Sequence, residues 1–252
     1  MRTYDLHTHS TFCDGKNTPE EMLLTAIDLG MTTYGFSGHA NAFTDPECSM
    51  TPEKMIAYRD EVLRLREKYK DRIRVLLGLE MDWFSSPPGF DCDYTIGSVH
   101  TVEWNGRYIT VDWSADRLWN WIAEVFGGDP YLLTSRYYEM VGQIVDRTGC
   151  DIIGHFDLVS KFNEQNEIFD SNDPRYVQAW QAAADRLLKT GKRFEINAGA
   201  IMRGYRKTPY PSMAIYTYLK ERGASFVVNS DGHACDHLRR FASFDFSAYG
   251  IE

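Results

Sequence analysis

Short runs rich in Val, Ile, Leu, Phe and Tyr alternate along the chain with longer stretches whose apolar residues recur at helical spacing. The β-prone runs fall at 3–7, 33–37, 73–80, 94–99, 151–155, 193–197 and 225–230. Three of the intervening helices carry start signals: Thr18-Pro19-Glu20-Glu21, Thr51-Pro52-Glu53 and Asp173-Pro174-Arg175 each combine a capping side chain with proline at the first helical position. Gly30, Gly191 and Gly223 mark helix ends just before strands. Regular alternation of this kind predicts parallel strands joined by crossover helices, an α/β fold in one domain over residues 1–252. The stretch 104–149 is longer than one crossover needs and reads as an insertion over the barrel mouth plus two helices. Seven strands are one short of the usual barrel, and a doubly wound open sheet gives the same alternation.

Histidine placement separates the two. Six of the seven histidines lie at or just beyond a predicted strand end: His7 and His9, His39, His100, His155 and His233. Glu80, Glu195, Asn197 and Asp231 occupy the same kind of position. In a parallel barrel all strand C-termini converge on one face, whereas an open sheet spreads them along a line. Gathering six imidazoles and three carboxylates on one rim without a cation would cost several kcal/mol of desolvation, so a metal site is expected and the barrel is favoured. Imidazole nitrogen with carboxylate oxygen and no thiolate suits Zn, Mn or Fe, and so many donors imply two or three ions with a carboxylate such as Glu80 bridging. His237, in a polar helix-like stretch, reads as structural.

Composition narrows the function further. A net charge of −9 leaves no basic stripe to neutralise a nucleic-acid backbone. No run approaches the length of a membrane span, and the start at Met1-Arg2-Thr3 lacks the apolar core of a signal peptide. Five scattered cysteines, none in a C-x-x-C pair, fit a reducing compartment, so a cytoplasmic location is expected.

Asp5-Leu6-His7-Thr8-His9-Ser10, Gly38-His39, Gly78-Leu79-Glu80, Gly97-Ser98-Val99-His100, Gly154-His155-Phe156-Asp157 and Ser230-Asp231-Gly232-His233 together resemble the PHP (polymerase and histidinol phosphatase) superfamily, in order over nearly the whole chain. The resemblance implies a distorted (β/α)7 barrel with three divalent ions. It assigns His7, His9, Glu80 and Asp231 to one ion, Glu80, His100 and His155 to a second, and Asp14, His39 and His233 to a third. Within the superfamily, 93–100 and 195–212 are similar to histidinol-phosphate phosphatases. Arg203 then grips phosphate, Lys161 stands where an arginine commonly helps, and Asn41 is placed at the substrate. The segment Gly38-His39-Ala40-Asn41 departs from relatives in lacking an Asp before the histidine and a nearby Pro, and lysine at 161 gives a point charge in place of a fork.

The expected chemistry is hydrolysis of L-histidinol phosphate to L-histidinol and phosphate by a metal-bridging hydroxide, a step of histidine biosynthesis, with Asp231 or His233 assisting the leaving group. Glu103, Asp112 and Glu164 are candidates for the substrate amine, and Trp104, Trp113, Trp119 and Trp121 for walls of the pocket or for core. Cys13 and Cys235 are expected to be small packing residues. Three alternatives stay open at this level: a PHP phosphoesterase for a nucleotide or other small phosphomonoester, a metal-dependent C–N hydrolase, and a barrel that binds metal only for structure.

Overall fold

The computed structural model describes residues 3–250, so Met1 and Arg2, on which part of the signal-peptide reading falls, lie outside the described residues. Nine strands are present among them: β1 (Tyr4–Asp5), β2 (Thr33–Phe36), β3 (Arg74–Asp82), β4 (Tyr94–Ser98), β5 (Thr101–Trp104), β6 (Arg107–Thr110), β7 (Ile152–Ile153), β8 (Arg193–Asn197) and β9 (Phe226–Asn229). Seven of them pair in parallel in the order β1-β2-β3-β4-β7-β8-β9. The outer strands approach each other through a parallel bridge between Thr8 and Gly232, with His9 N donating to Gly232 O at 2.9 Å. Leu6 N also donates to Asn229 Oδ1 at 3.1 Å and Val228 N to the Tyr4 hydroxyl at 3.2 Å. The sheet is therefore a nearly closed barrel of seven parallel strands, and the open doubly wound alternative falls away.

The helix signals act as expected. Thr18 accepts from Glu21 N while Glu21 reaches back to Thr18 N at 2.8 Å, a complete capping box ahead of Pro19–Asp28. Thr51 and Asp173 cap Pro52–Lys68 and Pro174–Leu188 in the same manner. Helices cover the outside of the barrel in two apolar layers. One joins Met22, Leu23, Val62, Leu65 and Phe241 to strands β2 and β3; the other joins Leu133, Tyr137, Tyr138, Ala184 and Leu187 to Ile153 and Phe194. No described helix is long and apolar enough to cross a membrane.

The stretch after β4 differs from its expected content. An antiparallel hairpin of β5 and β6 precedes three helices, Ala115–Val125, Pro130–Val141 and Ile144–Thr148, where an insertion over the barrel mouth and two helices were expected. The hairpin turns on Asn105 and Gly106, both at positive φ (48° and 77°), the conformation that Asn-Gly adopts most readily. The turn signal is thus present in the sequence, embedded in a segment whose length suggested helices.

Tyr94 holds the barrel interior together. It clusters with Leu6, Ile96, Ile152 and Val227, contributed by strands around the barrel. Its hydroxyl donates to Leu6 O at 2.5 Å and lies 3.1 Å from Phe36 O. The ring crosses directly over two glycines: a Cβ on Gly35 would stand 2.3 Å from the Tyr94 hydroxyl, and one on Gly78 would stand 2.4 Å from its Cζ. Both are compelled by close approach, since each has an ordinary strand backbone. Gly78→Ala is expected to cost about 1–3 kcal/mol by overpacking, read as a lowered denaturant midpoint, and Gly78→Ala combined with Tyr94→Leu should recover part of it. An unchanged midpoint for the single variant would contradict this packing.

Candidate metal centre

Each strand end delivers its candidate ligand by a different local device. His7 and His9 flank Thr8, whose hydroxyl is turned away to donate to Gly35 O at 2.9 Å. Asp14 returns to the barrel mouth because the loop after β1 folds back, with Cys13 N and Gly15 N both donating to Ser10 O. His39 is fixed by a bridge to Glu80, and Ala40 N donates to Glu80 O at 2.9 Å. Asp231 sits at φ 51°, in the left-handed region that few residues other than glycine, asparagine and aspartate enter readily. Gly199 makes room for it: a Cβ there would lie 2.3 Å from Asp231 Oδ2 and 2.8 Å from Arg203 Nη2.

All nine residues expected at the metal site come together. Glu80, buried in the barrel mouth, is their hub. Its Oε2 lies 3.0 Å from His39 Nδ1, 3.2 Å from His7 Nε2 and 3.5 Å from His9 Nε2; its Oε1 lies 2.9 Å from His155 Nε2 and 3.5 Å from His100 Nε2. Asp231 Oδ1 is 3.3 Å from His9 Nε2, and Asp14 Oδ2 is 3.0 Å from His233 Nε2. Four groups have ligand atoms close enough to share an ion: His9, Asp14, His39 and His233; His7, Glu80 and His155; His7, His9 and Asp231; and His39, Glu80 and His100. His7, His9, His39 and Glu80 each belong to two of these groups, so the partition differs in detail from the one the resemblance implies.

Polar atoms in this cluster are left unsatisfied by the protein alone. His7 Nε2, His9 Nε2, Glu80 Oε2 and His155 Nδ1 are buried without a hydrogen-bond partner. His7 Nε2 and Glu80 Oε2 are close but not aligned for a hydrogen bond. Buried polar atoms are normally paired, and converging unpaired donors to metal are what an ion would satisfy. Electrostatics point the same way. Burial works against charge on Glu80, yet His7, His39 and His100 hold its carboxyl well below the usual range. Burial lowers His7 too, but Glu195, Glu80 and Asp231 outweigh it and raise the imidazole. His9 is instead lowered to about 3, by burial together with His233 and His39. Cations between these groups would hold the carboxylates without loading every imidazole with a proton. Cys13 Sγ lies 3.6 Å from His9 Nδ1, but burial and Asp14 push its thiol up, so it stays a protonated packing group. The donors are nitrogen and oxygen, as borderline divalent ions prefer.

A cavity of about 540 Å³ opens over the cluster. Arg203 and Lys161 both line it. Arg203 Nη2 donates to Asp231 Oδ2 at 3.0 Å, and Lys161 Nζ donates to Asp112 O at 2.7 Å with the Tyr205 ring 4.9 Å away. Their two segments are tied by buried Arg206, which donates to Ser160 Oγ at 2.8 Å and pairs with Asp157 and Glu164, each at 3.5 Å. Asn41, expected at the substrate, is not among the residues lining this cavity, and its amide donates to Met50 O at 2.9 Å. Glu103 is paired with Arg136, Glu164 with Arg206 and Asp112 with Lys161 at 3.3 Å; of these three acids considered for the amine, Asp112 lines the cavity. Of the four tryptophans only Trp113 does so. Trp104 packs on Phe126, and Trp119 is exposed. Cys235 lies against Met22, in a packing role.

Four residues escaped the sequence reading in whole or in part. His237 lines the cavity, and its Nδ1 accepts from His233 N at 3.3 Å. Lys16 lines it as well. Asp82 takes the His100 backbone N–H at 2.9 Å and lies 3.3 Å from its Nδ1. Glu195 lies beside His7, with Oε1 2.6 Å from Nδ1, and is absent from every group that could share an ion. Asp82 was within reach, because it is two residues beyond Glu80 on one strand and therefore on the same face.

Residues 5–199 match the model of the PHP domain. A protein of Deinococcus radiodurans named probable histidinol-phosphatase is 30% identical over 246 residues, covering 91% of this chain and 85% of its own. Among solved structures, hisK from Listeria monocytogenes superposes with a TM-score of 0.81 at 22% identity, covering 98% of this chain and 99% of that one. Histidinol phosphate phosphatase from Lactococcus lactis, solved with Zn, L-histidinol and phosphate, gives a TM-score of 0.67 at 20% identity, over 100% of this chain and 95% of that one. With its barrel, its strand-end histidines and acids and these likenesses in agreement, this chain belongs to the PHP domain family.

Proposed function

We propose that this protein is a metal-dependent histidinol-phosphatase, hydrolysing L-histidinol phosphate to L-histidinol and phosphate in histidine biosynthesis. The observation that carries it is the nine-residue cluster of imidazole and carboxylate donors, with His7, His9, Glu80, His155 and Asp231 buried and the other four partly exposed to a cavity that also holds Arg203 and Lys161. The name of the Deinococcus relative and the ligands of the Lactococcus structure supply the substrate.

Three divalent ions, of Zn, Mn or Fe, would be held by His7, His9, Asp14, His39, Glu80, His100, His155, Asp231 and His233. Such ions supply a water of lowered pKa and positive charge against the phosphoryl oxygens. Arg203 and Lys161 bind the non-bridging oxygens, and Arg203 also keeps Asp231 aligned through their 3.0 Å hydrogen bond. Burial tends to raise the Asp231 carboxyl, but Arg203 and His7 hold it well below the usual range. Asp231 is therefore suited to hold an ion rather than to give a proton to the leaving alkoxide. Asp112 and Asp45 line the same cavity and oppose the cationic amine that distinguishes this substrate from a sugar phosphate.

Phosphate release should be faster from L-histidinol phosphate than from a panel of nucleotides and sugar phosphates when Mn or Zn is supplied. Good turnover of another ester with none of histidinol phosphate would overturn the substrate and leave the hydrolytic site standing. Removing metal with a chelator should abolish turnover and lower the thermal midpoint; metal at about a thousandfold excess over its dissociation constant contributes about 4 kcal/mol to the folded state. Arg203→Ala should reduce kcat/KM by about ten- to hundredfold, the worth of one charge-assisted hydrogen bond, with a raised KM. An unchanged KM would remove Arg203 from the phosphate site.

A further inference from the structure

Glu195 stands at a strand end like the metal-site acids, yet its surroundings set it apart. It is fully buried, and all of its acceptor capacity is taken up by the protein. Oε1 lies 2.6 Å from His7 Nδ1 and accepts from Asn229 Nδ2 at 2.8 Å. Oε2 accepts from His155 N at 2.8 Å and from Asn197 Nδ2 at 2.9 Å. A carboxylate offers about four lone-pair directions, and these four contacts use them. The orientation of both asparagines is fixed independently, because Asn229 Oδ1 accepts from Leu6 N and Asn197 Oδ1 from Gly199 N. Their amide nitrogens therefore face Glu195, which must remain an acceptor throughout.

An acceptor at 2.6 Å from Nδ1 holds a His7 proton on that nitrogen and leaves Nε2 as the nitrogen that can face an ion. That Nε2 is one of the buried unpartnered atoms, 3.2 Å from Glu80 Oε2 and 3.7 Å from Asp231 Oδ1. The same carboxylate grips the backbone of His155, so one side chain sets two histidines that approach Glu80.

We propose that Glu195 is a positioning residue for the metal centre: it binds no ion, but fixes the tautomer and direction of His7 and the place of His155, joining β8 to β1 and β7 behind the ligands. The proposal rests on the metal-dependent reading above. Outer partners of this kind typically change metal affinity by about ten- to hundredfold.

The test compares Zn2+ affinity, by competition with a chromogenic chelator, in the wild type, Glu195→Gln and Asn197→Ser. Glu195→Gln keeps the shape but turns an acceptor into a donor facing N–H groups. Asn197→Ser removes one donor from Oε2 and leaves the contact with His7. Zn2+ affinity should fall about ten- to hundredfold in Glu195→Gln and stay near the wild-type value in Asn197→Ser, although both lose thermal stability. Ring-nitrogen NMR of the wild type should show His7 protonated at Nδ1. Equal affinities in wild type and Glu195→Gln, an equal loss in both variants, or His7 protonated at Nε2 alone would overturn the proposal. Should Glu195→Gln fail to fold, Glu195→Asp, which keeps the charge one methylene further away, should weaken Zn2+ binding, and wild-type affinity there would overturn it. A wild type that binds no divalent ion would instead overturn the metal-dependent reading itself, and this inference with it.

Discussion

A single buried carboxylate organises the mouth of the barrel. Glu80 lies within 3.5 Å of imidazole nitrogens from His7, His9, His39, His100 and His155, and Ser98 Oγ donates to its Oε1 at 2.7 Å. An ionised carboxylate in such a place is costly unless it is compensated. The compensation comes from strands far apart in sequence, so closing the barrel and stabilising this charge are the same requirement. Glu80 lies within β3 and pairs in register with Ile96 of β4, so the hub belongs to the sheet and not to a loop.

What holds the strands at the right distances lies deeper. Tyr94 spans the interior from β4 to the carbonyls of Leu6 and Phe36, and two glycines give it space. Just above this apolar plug the side chains turn polar: Asp5, His7, Asn229 and Glu195 are all buried. Leu6, Ile96, Ile152 and Val227 of this plug each precede a candidate metal-site residue on the same stretch of chain: His7, His100, His155 and Asp231. Ligand geometry and barrel packing are thereby coupled, and a shift in one strand would be felt at several ligands.

The convergence of histidines and acids at the strand ends was legible in sequence because two local signals coincide at most of them: a residue type that can bind metal and a position at the end of a β-prone run. Barrel closure followed from the same signals, since only a closed sheet lets His7 and Asp231 share a neighbourhood. Roles that depend on where a side chain points were not legible. Asn41 follows His39 closely in sequence, but its amide is spent on Met50 O. His237 read as structural, yet the helix Cys235–Ser243 begins at the mouth and carries it to the cavity wall. Glu195 was visible as a rim acid; that its oxygens face the protein depends on Asn197 and Asn229, whose orientation only the folded chain fixes. The hairpin was missed for another reason: Asn105-Gly106 is a strong turn signal, outweighed by the length of the segment around it.

The central claim is that Glu80 is the shared carboxylate of a centre holding several ions. Elemental analysis of purified Glu80→Gln against wild type, both equilibrated with Mn or Zn and then freed of loosely bound metal, tests it most directly. The account predicts that the variant remains folded and loses more than one ion per chain, because one oxygen that serves several ligand groups becomes an amide nitrogen. A variant that keeps the full wild-type complement, or a wild type that holds one ion or none, would contradict it.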